Sequence, residues 1–410
     1  MTTKNGKFLQ IHTLTSYPAA LLNRDDIGFA KRMPFGGASR TRISSQCLKR
    51  HWRRFEGENA LSEIAGERMS VRSRRTFVDM IRKPLVDDHG MDEERAREVT
   101  QALVSEVLQI NEKRAAAKEK EEDGKKAEED LDKPLLTGQV VVLGKPEVDF
   151  FLKEAREVAE SDAADAKALK AAFKERFKRD GKKNLFTLLD AGLDCAMFGR
   201  MVTSDVLSRC DAALHVAHAF TVHAEDVEED YFSAADDLAQ EAGETGSGHI
   251  NSTELTSGLY YSYVVVDLPL LVSNLTGCKQ EDWHSADHAL AKQVVERMVK
   301  LIATVSPGAK LGSTAPYAYA HMMLVESGSQ TPRTLANAFM KPVRAPEGEL
   351  LPATYDALAA HLKDLDTVYD APDGSRQGLA LGDPSAFDGL VPEFGSLNAL
   401  SQWAADQVSA

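Results

Sequence analysis

The sequence predicts an α+β fold: a sheet with helices packed on it, joined to a separate helical lobe. Three features predict it. Apolar runs of strand length recur at wide intervals, stretches with 3.6-residue hydrophobic spacing lie between them, and the long interval 56–190 reads as a helical excursion that leaves the sheet and returns. At 410 residues and 43% hydrophobic, the chain can bury one large core or two smaller ones.

The first element is a strand at "KFLQIHTLTSY" (7–17), with Leu9 and Ile11 on one face and Phe8 and His12 on the other. Further strand-like runs are "GQVVVLG" (138–144), "CAMFGRMVTS" (195–204), "GLYYSYVVVDL" (258–268) and "PYAYAHMMLVE" (316–326). The clearest helix spans 286–305, where Val294, Val295, Met298, Leu301, Ile302 and Val305 keep helical spacing. A helical stretch is expected to end near His223, and a polar connection runs from there to a strand beginning near Leu255. Residues 112–133 hold seven basic and nine acidic residues and almost nothing apolar, which reads as a solvated helix or a disordered insertion. No internal repeat is visible.

The formal charge of -14 argues against a general nucleic-acid coat, but it is unevenly spread. Residues 1–55 carry eleven Lys/Arg against Asp25 and Asp26 alone, a local charge of +9, which leaves about -23 for the rest. A chain polarised in this way can hold a polyanion on one surface and repel it elsewhere. Four scattered cysteines without a CxxC pair read as reduced thiols. With no apolar leader and no run of membrane-spanning length, the expectation is a soluble cytoplasmic protein with no membrane partner.

The basic charge peaks at "FGGASRTRISSQCLKRHWRR" (35–54). If Ser44 or Ser45 caps a helix, Gln46, Lys49, Arg50 and Arg53 share one face, with Leu48, Trp52 and Phe55 opposite. Gly36 and Gly37 allow the backbone close to a ligand, and the serines add donors at a helix N-terminus. These are the parts of a phosphate-binding surface; a solvated helix face has the same pattern, and spacing alone does not choose between them.

Other motifs carry less. Asp25–Asp26 and Asp236–Asp237 have metal-compatible chemistry, but adjacent carboxylates on a strand point to opposite faces, so turn and cap roles are expected. His215 and His218 in "HVAHAF" lack a third ligand and read as packing or surface residues. "GETGSGH" (243–249) lacks the ending and preceding strand of a phosphate loop and reads as a loop tip. No metal or cofactor is expected.

Taken together, "LNRDDIGFAKRMPFGGASRTRISSQCLKR" (22–50) closely resembles the N-terminal signature of the CasC family, the repeated backbone subunit of the type I-E CRISPR complex Cascade. Further matches follow in order at 199–223, 230–238, 253–268, 306–310 and 335–343. The charged tract 112–133 and the loop near 240–250 look longer than the family pattern needs, and His215 looks peculiar to this chain.

The resemblance implies a modified RRM-like (ferredoxin-like) palm formed by 1–55 and 191–410, helical fingers at 56–190, and a protruding thumb at 224–254. It implies a non-catalytic RNA-binding scaffold in antiviral defence: several copies along one CRISPR RNA, holding its backbone while the guide pairs with target DNA, in company with other Cascade subunits. Carried over by residue, the guide contacts are Arg24, Lys31, Ser44, Gln46, Lys49, Met201 and Ser204, with Lys341 and Arg344, and Arg50 and Arg53 on the same basic face. Tyr231, Phe232 and Ser233 fall at the thumb tip as a wedge into the guide–target duplex. The competing reading is a metal-dependent ribonuclease that cuts guide-bound target RNA with Asp25 or Asp26. A purely acidic protein-interaction module leaves the +9 N-terminus unexplained.

Overall fold

The structure, a computed structural model, describes residues 7–65, 69–108, 132–161, 163, 165–178, 191–200, 207, 209–235, 247–369 and 375–409. The chain opens with β1 (Phe8–Ala20), the hairpin β2 (Arg32–Phe35) and β3 (Ala38–Ile43), and α1 (Ser45–Arg53). Next come β4 (Ser70–Ser73), α2 (Glu93–Leu108), β5 (Val141–Gly144), α3 (Lys145–Ala159), α4 (Ala166–Lys178) and α5 (Leu193–Phe198). Then follow β6 (Leu214–Val216), β7 (Ala219–Thr221), β8 (Asp226–Ala235), β9 (Ser247–Asp267) and α6 (Ala289–Thr304). The chain closes with β10 (Met322–Gly328), α7 (Leu350–Val368), β11 (Ser375–Ala380) and α8 (Leu397–Asp406).

These elements divide into two compact units. The first comprises 1–64, 214–269 and 287–410 and contains an antiparallel sheet in the order β11-β10-β1-β9-β7-β3-β2, with β6 and β8 also pairing with β9. β1 lies between β10 and β9, with Ile11 opposite both Val325 and Val264. Burial follows from that central position: Leu9 and Ile11 are buried on one face, and His12 and Leu14 on the other. Leu14, Phe220, Tyr261, Leu324, Phe339 and Leu358 form the core between sheet and α7, while α6 packs on α8 and touches α1.

His12 is buried without being left unsatisfied. Its Nδ1 pairs with the Tyr261 hydroxyl at 2.9 Å and its Nε2 with Glu326 at 3.2 Å. Arg376 and Arg333 close on the same carboxylate at 2.7 and 3.3 Å, and both also bind Asp366. Burial pushes the Glu326 carboxyl up, but the His12 hydrogen bond and the two guanidinium charges outweigh it and hold it at about 2.

The second unit, 65–213 with 270–286, is mainly helical, with β4 and β5 as its antiparallel pair. The sequence division at 55, 56–190 and 191 differs from these bounds; the structure groups 191–213 with the helical unit and adds 270–286 to it. Its core gathers Phe77, Val99, Leu103, Phe151, Phe173 and Leu207. Glu147 and Arg200 form a fully buried two-pronged pair at 2.7 and 2.9 Å. Most of the charged tract 112–133 lies outside the described residues.

Three expectations are corrected. The run from Cys195 enters α5, a short helix between Gly192 at φ 108° and Gly199 at φ 80°, and not a strand. Leu193, Cys195, Ala196 and Met197 are all buried, and an apolar run buried all round has no period to separate helix from strand. The approach to His223 is two short strands, β6 and β7, each paired with β9, and not a helix. The supposed polar connection to Leu255 is an antiparallel ribbon, β8 on β9, with Tyr231 opposite Ser252 and Phe232 opposite Asn251. Its polar sequence hides it because little of its surface faces a core: Asp226, Glu228, Glu229 and Asp230 are exposed.

The four cysteines are free, with Cys195 and Cys210 buried. Among the described residues, no helix is long and apolar enough to cross a membrane.

Candidate nucleic-acid interface

Gly36 and Gly37, at φ 61° and 79°, form the two-residue turn between β2 and β3, where both central residues must be left-handed. The expected close approach of backbone to ligand is corrected at Gly36. The space a Cβ would fill lies 1.5 Å from the Met340 carbonyl oxygen, so the neighbour that requires glycine is the chain itself.

Beyond β3, Ser44 caps α1: its hydroxyl accepts the Cys47 amide at 3.3 Å, and the residue is 7% exposed. Leu48 and Trp52 are buried on one side of the helix. Gln46 and Arg50 are exposed, Lys49 and Arg53 half-buried. The amphipathic split expected from the spacing is present; Phe55 lies past the helix end, half-buried.

Asn23 ties this helix start to the preceding loop. Its side-chain oxygen accepts the Ser44 amide at 2.9 Å, and its carbonyl accepts the Lys31 amide at 2.9 Å. The Arg42 amide donates to the Lys31 carbonyl at 2.8 Å, so Lys31 sits at the beginning of α1. Exposed Arg24 forms a bridge with Ala30 across the same loop. Asp25 builds that loop, one carboxylate oxygen accepting the Ile27 and Phe29 amides at 3.1 and 2.9 Å. That is the turn role expected of it. Among the described residues no group of three or more His, Cys, Asp and Glu stands together as a metal site.

His218 completes the cluster. Its Nδ1 accepts from the Ser45 amide and from Arg42 Nη1, both at 3.3 Å. Burial lowers its pKa, and the charges of Arg42 and Lys31 lower it further. Burial raises the Cys47 thiol, while the charges of Arg50 and Lys31 pull it back. The fields of Lys31, Arg42 and Arg50 therefore overlap at the first turn of α1, where the helix's own N–H groups are also positive. Such a surface attracts phosphate.

The structure thus brings Arg24, Lys31, Ser44, Gln46, Lys49 and Arg50 together. Lys341 and Arg344 are exposed on the segment that follows Met340, beside the Gly36 turn. Met201 and Ser204 lie outside the described residues. Tyr231 is 67% exposed on β8. The side chains of Phe232 and Ser233, the rest of the expected wedge, lie outside what the structure describes. Arg42 and His218 were missed as site residues. His218 carries no local signal, since its partner Ser45 is 173 residues away.

The family model described as CT1975-like protein matches residues 9–403. A solved structure described as "CRISPR RNA-guided surveillance complex, pre-nicking" contains a chain 25% identical, with a TM-score of 0.74 over 98% of this chain and all of that one. A second, "CRISPR RNA-guided surveillance complex", is similar at 21% identity and a TM-score of 0.55 over 97% of this chain and 98% of that one, a likeness of fold. No curated protein matches.

Proposed function

Because the chain belongs to the CT1975-like protein family, the CasC-type backbone subunits its opening motif resembles, we propose that it is an RNA-binding scaffold of a CRISPR RNA-guided surveillance complex. Several copies line one CRISPR RNA and hold its phosphates without reading its bases, so that the guide pairs with target DNA. The sheet unit is the RRM-like palm of a type I-E assembly, and the β8–β9 ribbon is its thumb. The protein acts in the cytoplasm in antiviral defence and cuts nothing itself.

The observation that carries this reading is the gathering of Lys31, Arg42 and Arg50 at the capped start of α1. Cations and main-chain amides bind any phosphate equally, which is what a guide of arbitrary sequence requires. Asp25, one of the two residues the ribonuclease reading offers, already serves main-chain amides with its carboxylate.

The test is Lys49→Ala. It should weaken guide binding equally for all spacer sequences and reduce the slope of log affinity against log salt by about one unit. A loss confined to particular spacers contradicts the proposal. The non-catalytic part is tested with assembled complex, Mg²⁺ and labelled complementary RNA: regularly spaced cuts abolished by Asp25→Ala or Asp26→Ala would overturn it.

A further inference from the structure

Arg40 is fully buried, at 0% exposure, and its positive charge meets no carboxylate among the described residues. Its fork is held by carbonyl oxygens alone. Nη1 donates to Thr221 at 2.8 Å and His223 at 3.2 Å, and Nη2 to Phe339 at 2.9 Å. Its central carbon lies 5.8 Å from the Phe35 ring centroid, and Nε finds no partner. An unpaired buried cation is costly, and a neutral apolar strut would fill the space for less. The three carbonyls therefore matter for what they join.

Thr221 ends β7, His223 leads to β8, and Phe339 stands one residue before Met340, whose carbonyl lies against Gly36. Two residues beyond Lys341, the Val343 amide donates to Val222 at 3.0 Å. Arg40, on β3 of the hairpin, thus binds the near side of the segment bearing exposed Lys341 and Arg344 at Phe339, and binds Thr221 and His223, on either side of the Val222 that holds the far side at Val343.

Resting on the RNA-binding reading, we propose that Arg40 is a positioning residue of the guide-binding surface: its fork locks the Gly36–Gly37 turn to the 339–344 segment and presents Lys341 and Arg344 preordered to one phosphate. Burial holds the guanidinium below its usual pKa range, in keeping with a cation kept for its geometry where burial disfavours its charge. Arg40 touches no RNA itself. Lysine keeps the charge but cannot span three carbonyls, so Arg40→Lys separates charge from fork.

The experiment measures binding of a CRISPR-repeat RNA of mixed spacer sequence to the full chain, with melting temperatures recorded alongside. Arg40→Lys should lower affinity on the order of tenfold in the parent. In a Lys341→Ala/Arg344→Ala background it should lower affinity no further, although the melting temperature still falls. Gly36→Ala, which pushes on the Met340 carbonyl from the other side, should repeat the pattern and serves if Arg40→Lys does not fold. Equal losses in both backgrounds, or unchanged affinity in the parent, overturn the proposal. If Lys341→Ala/Arg344→Ala is silent while Lys49→Ala is not, this inference fails and the RNA-binding reading stands. If Lys49→Ala is silent as well, that reading fails first.

Discussion

Replacing Trp52 by alanine tests whether the basic helix is held as its burial implies. Trp52 is 2% exposed and lines, with Leu48, Ile43, Tyr260, Ile302 and Val305, a cavity of about 30 Å³. Removing the ring enlarges a space that is already there, and the walls of sheet and α6 relax into it only in part. The expected loss is about 3–5 kcal/mol, the range for a buried Trp or Phe truncated to Ala. For a unit of this size, each kcal/mol lowers the melting temperature by about 2–4 °C. Thermal unfolding followed by circular dichroism reads the shift, and urea titration gives the free energy. Trp52→Phe should recover more than half of the loss, since most of the apolar area returns. Guide binding by the alanine variant, measured well below its melting temperature, should weaken in step as α1 loosens. An unchanged melting temperature refutes the reasoning, because it would mean that α1 does not rest on Trp52.

Other outcomes follow from the buried charges and the ribbon. Glu326 is ionised in the fold with a pKa of about 2, below its unfolded value near 4.5, so its contribution is fully present above 4.5 and is lost as pH falls toward 2. Stability by urea titration should drop on the order of 3 kcal/mol across that window, and Glu326→Gln should flatten that part of the curve. Glu147→Ala strands a buried Arg200 and should destabilise by about 3–5 kcal/mol; a melting temperature within a degree of the parent would contradict the pair's importance. The double change Tyr231→Ala/Phe232→Ala should leave folding and guide loading largely intact while weakening target-DNA binding. A parent complex with no periodically tolerated mismatches along the guide would end the wedge reading.

The parts of the fold whose causes are local could be read from the chain before it folds. The strand character of 7–17, the helix within 286–305 and the capped amphipathic α1 follow from hydrophobic period and a serine at the right offset, and all three are present. The basic character of the site was legible for the same reason, because Gln46, Lys49, Arg50 and Arg53 lie within two turns of one helix.

Tertiary structure alone decided the rest. That Lys31 and His218 stand at the same helix start depends on Asn23 and on β7 pairing with β3, contacts between residues far apart in the chain. The strand at β8 shows no alternation because its ribbon has little core to bury. Gly36 announced a close approach without saying to what, and the answer was a carbonyl some three hundred residues away. Arg40 looked like one more basic residue; only burial and its three carbonyl partners set it apart from the arginines that face solvent. Periodicity records what a residue's near neighbours require, whereas a partner brought by the fold leaves no trace at either position.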